Sequence, residues 1–190
     1  MRIRLKQHYV LLALFTGMLI SACENDINKV KAIAAADATK PIQRTTGVDM
    51  IFSDSGVVKA RLITPLLIQY DFKDSSYQQM PKGVKVLIYN PNLKVDGTVI
   101  ADTGYNYDKT QIIKFKKNVV ATNDEGTTYK SEELIWDRAK KQIYSTKNVL
   151  MTKVTGDQMT GTSFTSDDHL KNPVFQNSTA IIHVDDSLTQ

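Results

Sequence analysis

From Val48 onward, hydrophobic and polar residues alternate in short runs. "GVDMIFSDSGVVKARL" carries two such runs on either side of Asp54-Ser55-Gly56. Turn residues between alternating runs predict a β-hairpin. "KGVKVLIYN" predicts another strand, ending at the turn cluster Asn90-Pro91-Asn92. β-Branched residues and tyrosines are frequent, and no long 3.6-residue period follows residue 46. The pattern predicts an all-β domain over residues 47–190.

The pattern also repeats. "GTVIADTGYNYD" from Gly97, "GTTYKSEELIWD" from Gly126 and "GDQMTGTSFTSD" from Gly156 align on their glycines, at spacings of 29 and 30 residues. Each places an aspartate at its end: Asp108, Asp137 and Asp167. "KNVVATNDEG" and "KNVLMTKVTG" lie between them. Each unit reads as strand, glycine turn, strand and aspartate turn. A lone hairpin cannot bury its apolar face, so units of this kind stack.

Two apolar columns run through the aligned units. One holds Ile100, Tyr129 and Met159; the other holds Tyr105, Leu134 and Phe164. Their separation of five is odd, and odd offsets in a regular strand face opposite sides. Small and polar residues lie between the columns, as in Ser131-Glu132-Glu133 and Gly161-Thr162-Ser163. A bend there re-aims the strand and brings both columns to one side. Stacked bent strands make a trough or flattened roll with an apolar lining. The expected lining is Ile100, Tyr105, Tyr129, Leu134, Trp136, Met159 and Phe164. For each of these residues, plain core packing is the competing reading.

The first residues have another texture. Arg2, Arg4 and Lys6 precede an apolar stretch from Tyr9 to Ile20. That stretch is shorter than the roughly 20 residues that span a bilayer, and it fits the apolar region of a secretory signal. Ile20 does not suit ordinary signal cleavage. Ile20-Ser21-Ala22-Cys23 instead looks like a bacterial lipobox, in which the Cys23 thiol takes an acyl lipid and the chain is cut before it. The simpler alternative is an uncleaved anchor with an incidental cysteine. Residues 1–22 are read as a lipoprotein signal peptide and 23–46 as the lipidated N-terminus and a flexible tether. Two acyl chains or more hold a protein stably on a membrane.

The signal changes the meaning of the charge. The chain carries a formal +4, and three of those positive charges are Arg2, Arg4 and Lys6. The remainder is close to neutral, which gives no support for nucleic-acid binding. Cys23 is the only cysteine, so no internal disulfide forms, and no zinc-type Cys/His spacing exists. No HExxH, GxSxG or P-loop pattern occurs. Asp168-His169 lacks an identifiable activated serine, and acidic pairs such as Glu132-Glu133 read as solvated turn residues. The lysines of "KFKKN" (Lys114, Lys116, Lys117) read as a solvated face rather than a phosphate site. A non-enzymatic binder or scaffold with no metal or cofactor is expected, apart from the acyl lipid on Cys23.

Several segments, taken in order, resemble a known family. They are the lipobox, "FSDSGVVKARLITP" (Phe52–Pro65), "PKGVKV", "IADTGYNYD", "TYKSEELIWD", "KQIYSTKNVLM" and "MTGTSFTSD". Together, over roughly residues 19–170, they resemble the lipoprotein branch of the LptC family, periplasmic components of the lipopolysaccharide-export ABC transporter. Many relatives carry a transmembrane helix where this chain has Cys23. The resemblance implies a twisted, open β-jellyroll whose interior holds lipopolysaccharide acyl chains. It implies a site on the periplasmic face of the inner membrane. Its implied partners are lipopolysaccharide, the inner-membrane transporter and the periplasmic bridge protein, the proteins being met through edge strands. Two other functions stay open on the residues alone: a β-rich lipoprotein that acts as a protein-binding assembly factor, and a surface lipoprotein that binds glycans or other ligands on exposed aromatic platforms.

Overall fold

The computed structural model describes residues 42–72 and 76–182. Cys23, the signal and most of the tether lie outside the described residues. The first strand, β1 (Gln43–Asp54), begins within the segment assigned to the tether. It turns through Ser55 and Gly56, both at positive φ, into β2 (Val57–Asp71), as the Asp-Ser-Gly signal predicts.

Twelve further strands follow: β3 (Ser76–Met80), β4 (Val84–Tyr89), β5 (Val95–Ala101), β6 (Thr103–Tyr107), β7 (Ile112–Asn123), β8 (Thr128–Asp137), β9 (Gln142–Ser145), β10 (Val149–Thr152), β11 (Gln158–Gly161), β12 (Ser163–Asp167), β13 (Val174–Gln176) and β14 (Thr179–Ile181). All ladders are antiparallel and join into one sheet. The order looks complicated until the short strands are joined across their corners. β3 with β4, β5 with β6, β9 with β10, β11 with β12 and β13 with β14 each make one bent strand. β1, β2, β7 and β8 bend without a break. The described residues then form nine bent strands in an up-and-down meander.

Each bent strand contributes one half to each of two layers. β7 pairs with β6 over Ile112–Lys116 and with β5 over Val120–Asn123. β8 pairs with β9 over its last residues and with β10 over its first. Layer A contains the second half of β1, the first half of β2, β4, β5, the ends of β7 and β8 nearest their shared turn, β10, β11 and β14. Layer B contains the remaining halves with β3, β6, β9, β12 and β13. Rings from the two layers meet inside: Tyr129 (layer A) and Phe164 (layer B) have centroids 5.1 Å apart.

The corners form a line, and each has a local cause. Gly47, at φ 62°, sits across from Pro65, between the pairs Thr46↔Leu66 and Val48↔Thr64. Proline has no N–H to give the ladder, and glycine accepts positive φ freely. In β7 the bend is a bulge. Lys117 and Asn118 take positive φ, and the register shifts between Lys116 and Val119. Backbone groups released by bending are taken up by small polar side chains. Ser131 Oγ donates to Asn148 O at 2.9 Å, and Ser145 Oγ donates to Glu133 O at 2.6 Å. Burial parity switches at these corners: Tyr129 and Ser131 face inward before the bend in β8, and Leu134 and Trp136 face inward after it.

The repeat is observed at 30 residues throughout. Inward positions recur as Val99, Tyr129 and Met159, then Gly104, Leu134 and Phe164, and then Ile113 with Ile143 and Val119 with Val149. Alignment on glycine is one residue off in its first unit. Gly126 and Gly156 are turn glycines at φ 81° and 93°, whereas Gly97 lies inside β5 and the positive-φ residue of its turn is Leu93. A Cβ at Gly97 would stand 3.6 Å from Ile88 Cβ, an ordinary van der Waals contact.

Candidate functional site

The space between the layers is the candidate site. Bent strands give it a floor along the corner line and an open mouth along the opposite ends of the layers. Its lining is apolar and closely packed. Leu62, Met80, Val86, Ile113, Phe115, Leu134 and Ile143 are each 1% exposed or less.

Of the expected lining, Tyr129, Leu134, Trp136 and Phe164 are buried in this core, and Met159 packs against it partly buried. Two residues do not join them. Ile100 is 47% exposed because neighbouring Val99 takes the inward position. Tyr105 lies on the outer face of layer B, with Gly104 inward beside it. Both displacements have one cause, the one-residue offset of the first unit. Phe115, Ile113 and Ile143 line the interior and were missed. The alternation of "IIKFKK" marks two of them.

Tyr105 belongs to a second aromatic group. Tyr70, Phe72, Tyr77, Tyr105 and Tyr107 stand on the outer face of layer B, half-buried against one another. Of the aromatics in the expected lining, Tyr105 alone therefore faces outward. Tyr70, Phe72 and Tyr77 stack with interplanar angles from 4° to 24°, so they cover each other's faces. Lys114 Nζ lies 5.4 Å from the Tyr107 ring centre and Lys116 Nζ 6.0 Å from that of Tyr105. Cross-strand ring pairs of this kind stiffen a sheet. A sugar-stacking platform needs free ring faces, which this ladder does not offer in quantity.

At the mouth, a strap after β12 crosses from layer B to layer A. Leu170 is fully buried, and its carbonyl accepts from Tyr129 Oη at 3.0 Å and from Asn123 Nδ2 at 3.2 Å. Burial pushes the Tyr129 phenol up to about 12. His169 Nδ1 stands 2.6 Å from Asp96 Oδ2, and Lys171 Nζ reaches Asp96 at 3.4 Å and Asp124 at 3.1 Å. Hydrogen bonding to Lys171 holds the Asp124 carboxyl below the usual range. Burial pushes Asp167 up. The Lys171 N–H, the Asn172 amide and the His169 N–H outweigh it and leave this carboxyl lowered. Asp137 and Asp167 thus organise turns, as their recurrence suggests, while Asp108 is exposed in a 3₁₀ turn.

Beyond the strap the mouth opens into a cavity of about 380 Å³. Layer A supplies Phe52, Lys59, Ile88 and Tyr89; layer B supplies Trp136, Arg138, Lys141 and His169. The Arg138 guanidinium lies 4.5 Å from the centre of the Phe52 ring and joins the two lips. The Trp136 indole N–H is buried and finds no acceptor among the described residues.

Comparison with known proteins adds a family. The family model described as "Lipopolysaccharide-assembly, LptC-related" matches residues 9–180. No curated protein matches the sequence. The matched span takes in every described strand except the last residue of β14.

Proposed function

Because the chain belongs to the LptC-related family of lipopolysaccharide-assembly proteins, a component of lipopolysaccharide transport, we propose that it is a non-enzymatic transfer module that carries lipid between its two layers. In this reading the module receives lipopolysaccharide from the inner-membrane export transporter and passes it to the periplasmic bridge. The family is one of periplasm-facing, inner-membrane-associated components. Here the Cys23 acyl lipid would supply the attachment.

One observation carries the reading: a single sheet folds over a continuous apolar interior and leaves both of its ends unclosed. Acyl chains cannot cross an aqueous compartment exposed. Covering a few hundred Å² of apolar surface at about 25 cal/mol per Å² gives several kcal/mol. The interior is filled by its own side chains, so lipid enters by parting the layers at the mouth, where the corner line acts as the hinge. The outer sides of β1 and of β13–β14 carry no ladder among the described residues. Such edges accept a partner's strand. One would meet the transporter and the other the bridge protein.

The test is site-specific photo-crosslinking in intact cells. A crosslinker at Leu134, fully buried between the layers, should capture lipopolysaccharide. One at Ile100, on the outer face, should not. Equal capture at both positions, or none at Leu134, overturns the reading and leaves a protein-binding assembly factor as the alternative.

A further inference from the structure

We propose that the cavity at the mouth is a binding site for an anionic amphiphile, with an alkyl chain against Phe52, Ile88 and Trp136 and its phosphate group held by Arg138, Lys59 and Lys141. This deepens the lipid-transfer reading and rests on it: it names the chemistry recognised at the point of entry.

The apolar half of the site is placed by register. Trp136 faces inward in β8, two residues beyond Leu134, and belongs both to the core and to the cavity lining. Phe52 and Ile88 face it from layer A. A volume of about 380 Å³ falls at the lower end of small-molecule sites, roughly 300–1,000 Å³.

The polar half is a set of cations with incomplete partners. The Arg138 side chain is 15% exposed. It donates through Nε to Gln111 O and through Nη2 to Asn106 Oδ1, both at 3.3 Å. Its nearest carboxylate, Asp108, lies 3.5 Å away with a side chain 82% exposed, so water screens that pair heavily. Burial pushes the guanidinium below its usual range, the behaviour of a cation short of a counter-charge. Lys59 and Lys141 have no carboxylate within ion-pair distance among the described residues. Two carboxylates also line the cavity: Asp168 lies 3.6 Å from His169 Nε2, and Asp54 accepts from Ser55 Oγ at 3.1 Å; the cations outnumber them. A planar guanidinium beside two flexible ammonium groups suits a phosphate with several acceptor oxygens.

Arg138 is the residue that joins the lips through the Phe52 ring. A phosphate held by Arg138 and Lys141 of layer B and by Lys59 of layer A would span the same two lips, fixing the head group across the mouth.

Trp136 is the only tryptophan in the chain, so its fluorescence reports on this site and on the core it adjoins. The purified protein is titrated, below micellar concentrations, with dodecyl phosphate, with neutral dodecyl maltoside and with inorganic phosphate. Dodecyl phosphate should shift Trp136 emission saturably. The neutral amphiphile should bind about tenfold more weakly, and inorganic phosphate should produce no shift. Arg138→Gln should weaken dodecyl phosphate about tenfold and leave dodecyl maltoside unchanged. Should Arg138→Gln fail to fold, the exposed pair Lys59→Gln with Lys141→Asn decides, with an expected loss of about three- to fivefold. Equal affinity for the two amphiphiles, or a silent Trp136, overturns the site. Either result with lipopolysaccharide still captured at Leu134 overturns the mouth site only. Dodecyl phosphate binding without capture at Leu134 instead overturns the transfer reading.

Discussion

Tyr129 shows how much one side chain can hold. Its ring fills the interior against Phe164, and its hydroxyl pins the strap by donating to Leu170 O. The phenol stays neutral inside, with its pKa raised to about 12 against about 10 in an unfolded chain. The stability linked to this raised group is fully present below about pH 10 and is lost as the pH rises through about 12. Tyr129→Phe removes the hydrogen bond at a cost of about 1 kcal/mol near neutrality. It should also flatten the alkaline fall in stability relative to the parent protein. Urea denaturation of both proteins between pH 8 and 11 checks this; parallel curves would count against the assignment. Tyr129 was legible in the sequence because its unit aligns correctly. Ile100 was not, since its glycine lies inside β5 rather than in the turn, and glycine alone does not reveal which.

Among the elements, the last bent strand depends on a missing side chain. A Cβ on Gly161 would stand 2.9 Å from Phe175 Cδ1 and 3.0 Å from Gln176 O. β13 therefore lies against the backbone of β11 as well as pairing with β12, and Phe175 reaches Phe164 at 5.2 Å. Gly161→Ala should push this strand outward at a cost of about 1–3 kcal/mol, confined to the C-terminal edge. Hydrogen exchange over residues 174–181 should accelerate while β7 and β8 stay protected; unchanged exchange at the edge would sink the argument. The bends themselves were legible because alternation changes phase at Ser131-Glu132-Glu133. Their reinforcement was less so. Ser131 and Ser145 read as ordinary polar strand residues, and only the bent backbone shows which carbonyls they satisfy. The strap was also hidden: Leu170 is one apolar residue among polar neighbours, and the four partners that anchor its segment, Asp96, Asn123, Asp124 and Tyr129, are distant in sequence.

For the molecule as a whole, the two free edges differ. β1 runs for 12 residues and spans both layers, whereas β14 exposes every side chain and has few to lose. Removing residues from Asn177 onward should change unfolding stability by less than about 1 kcal/mol. If this edge meets the bridge protein and the Cys23 acyl lipid supplies the attachment, as proposed, co-purification of that protein should fall sharply while membrane attachment persists. Full retention of the partner would assign hand-off to another surface. Architecture at this scale was legible as stacked bent hairpins, since the 30-residue period survives a misaligned unit. The two faces of the roll were harder to separate, because Tyr105 and Leu134 are equally apolar on paper and only register tells outside from inside.

The meander has a consequence for growth as well as for form. Every bent strand touches its chain neighbours, so the roll can elongate from the N-terminal end as chain becomes available, with no distant partner to wait for. Elongation of this kind has no built-in stop. The next strand in line is set by supply, and a strand from another polypeptide can follow β14 by the same geometry that places β14 after β11.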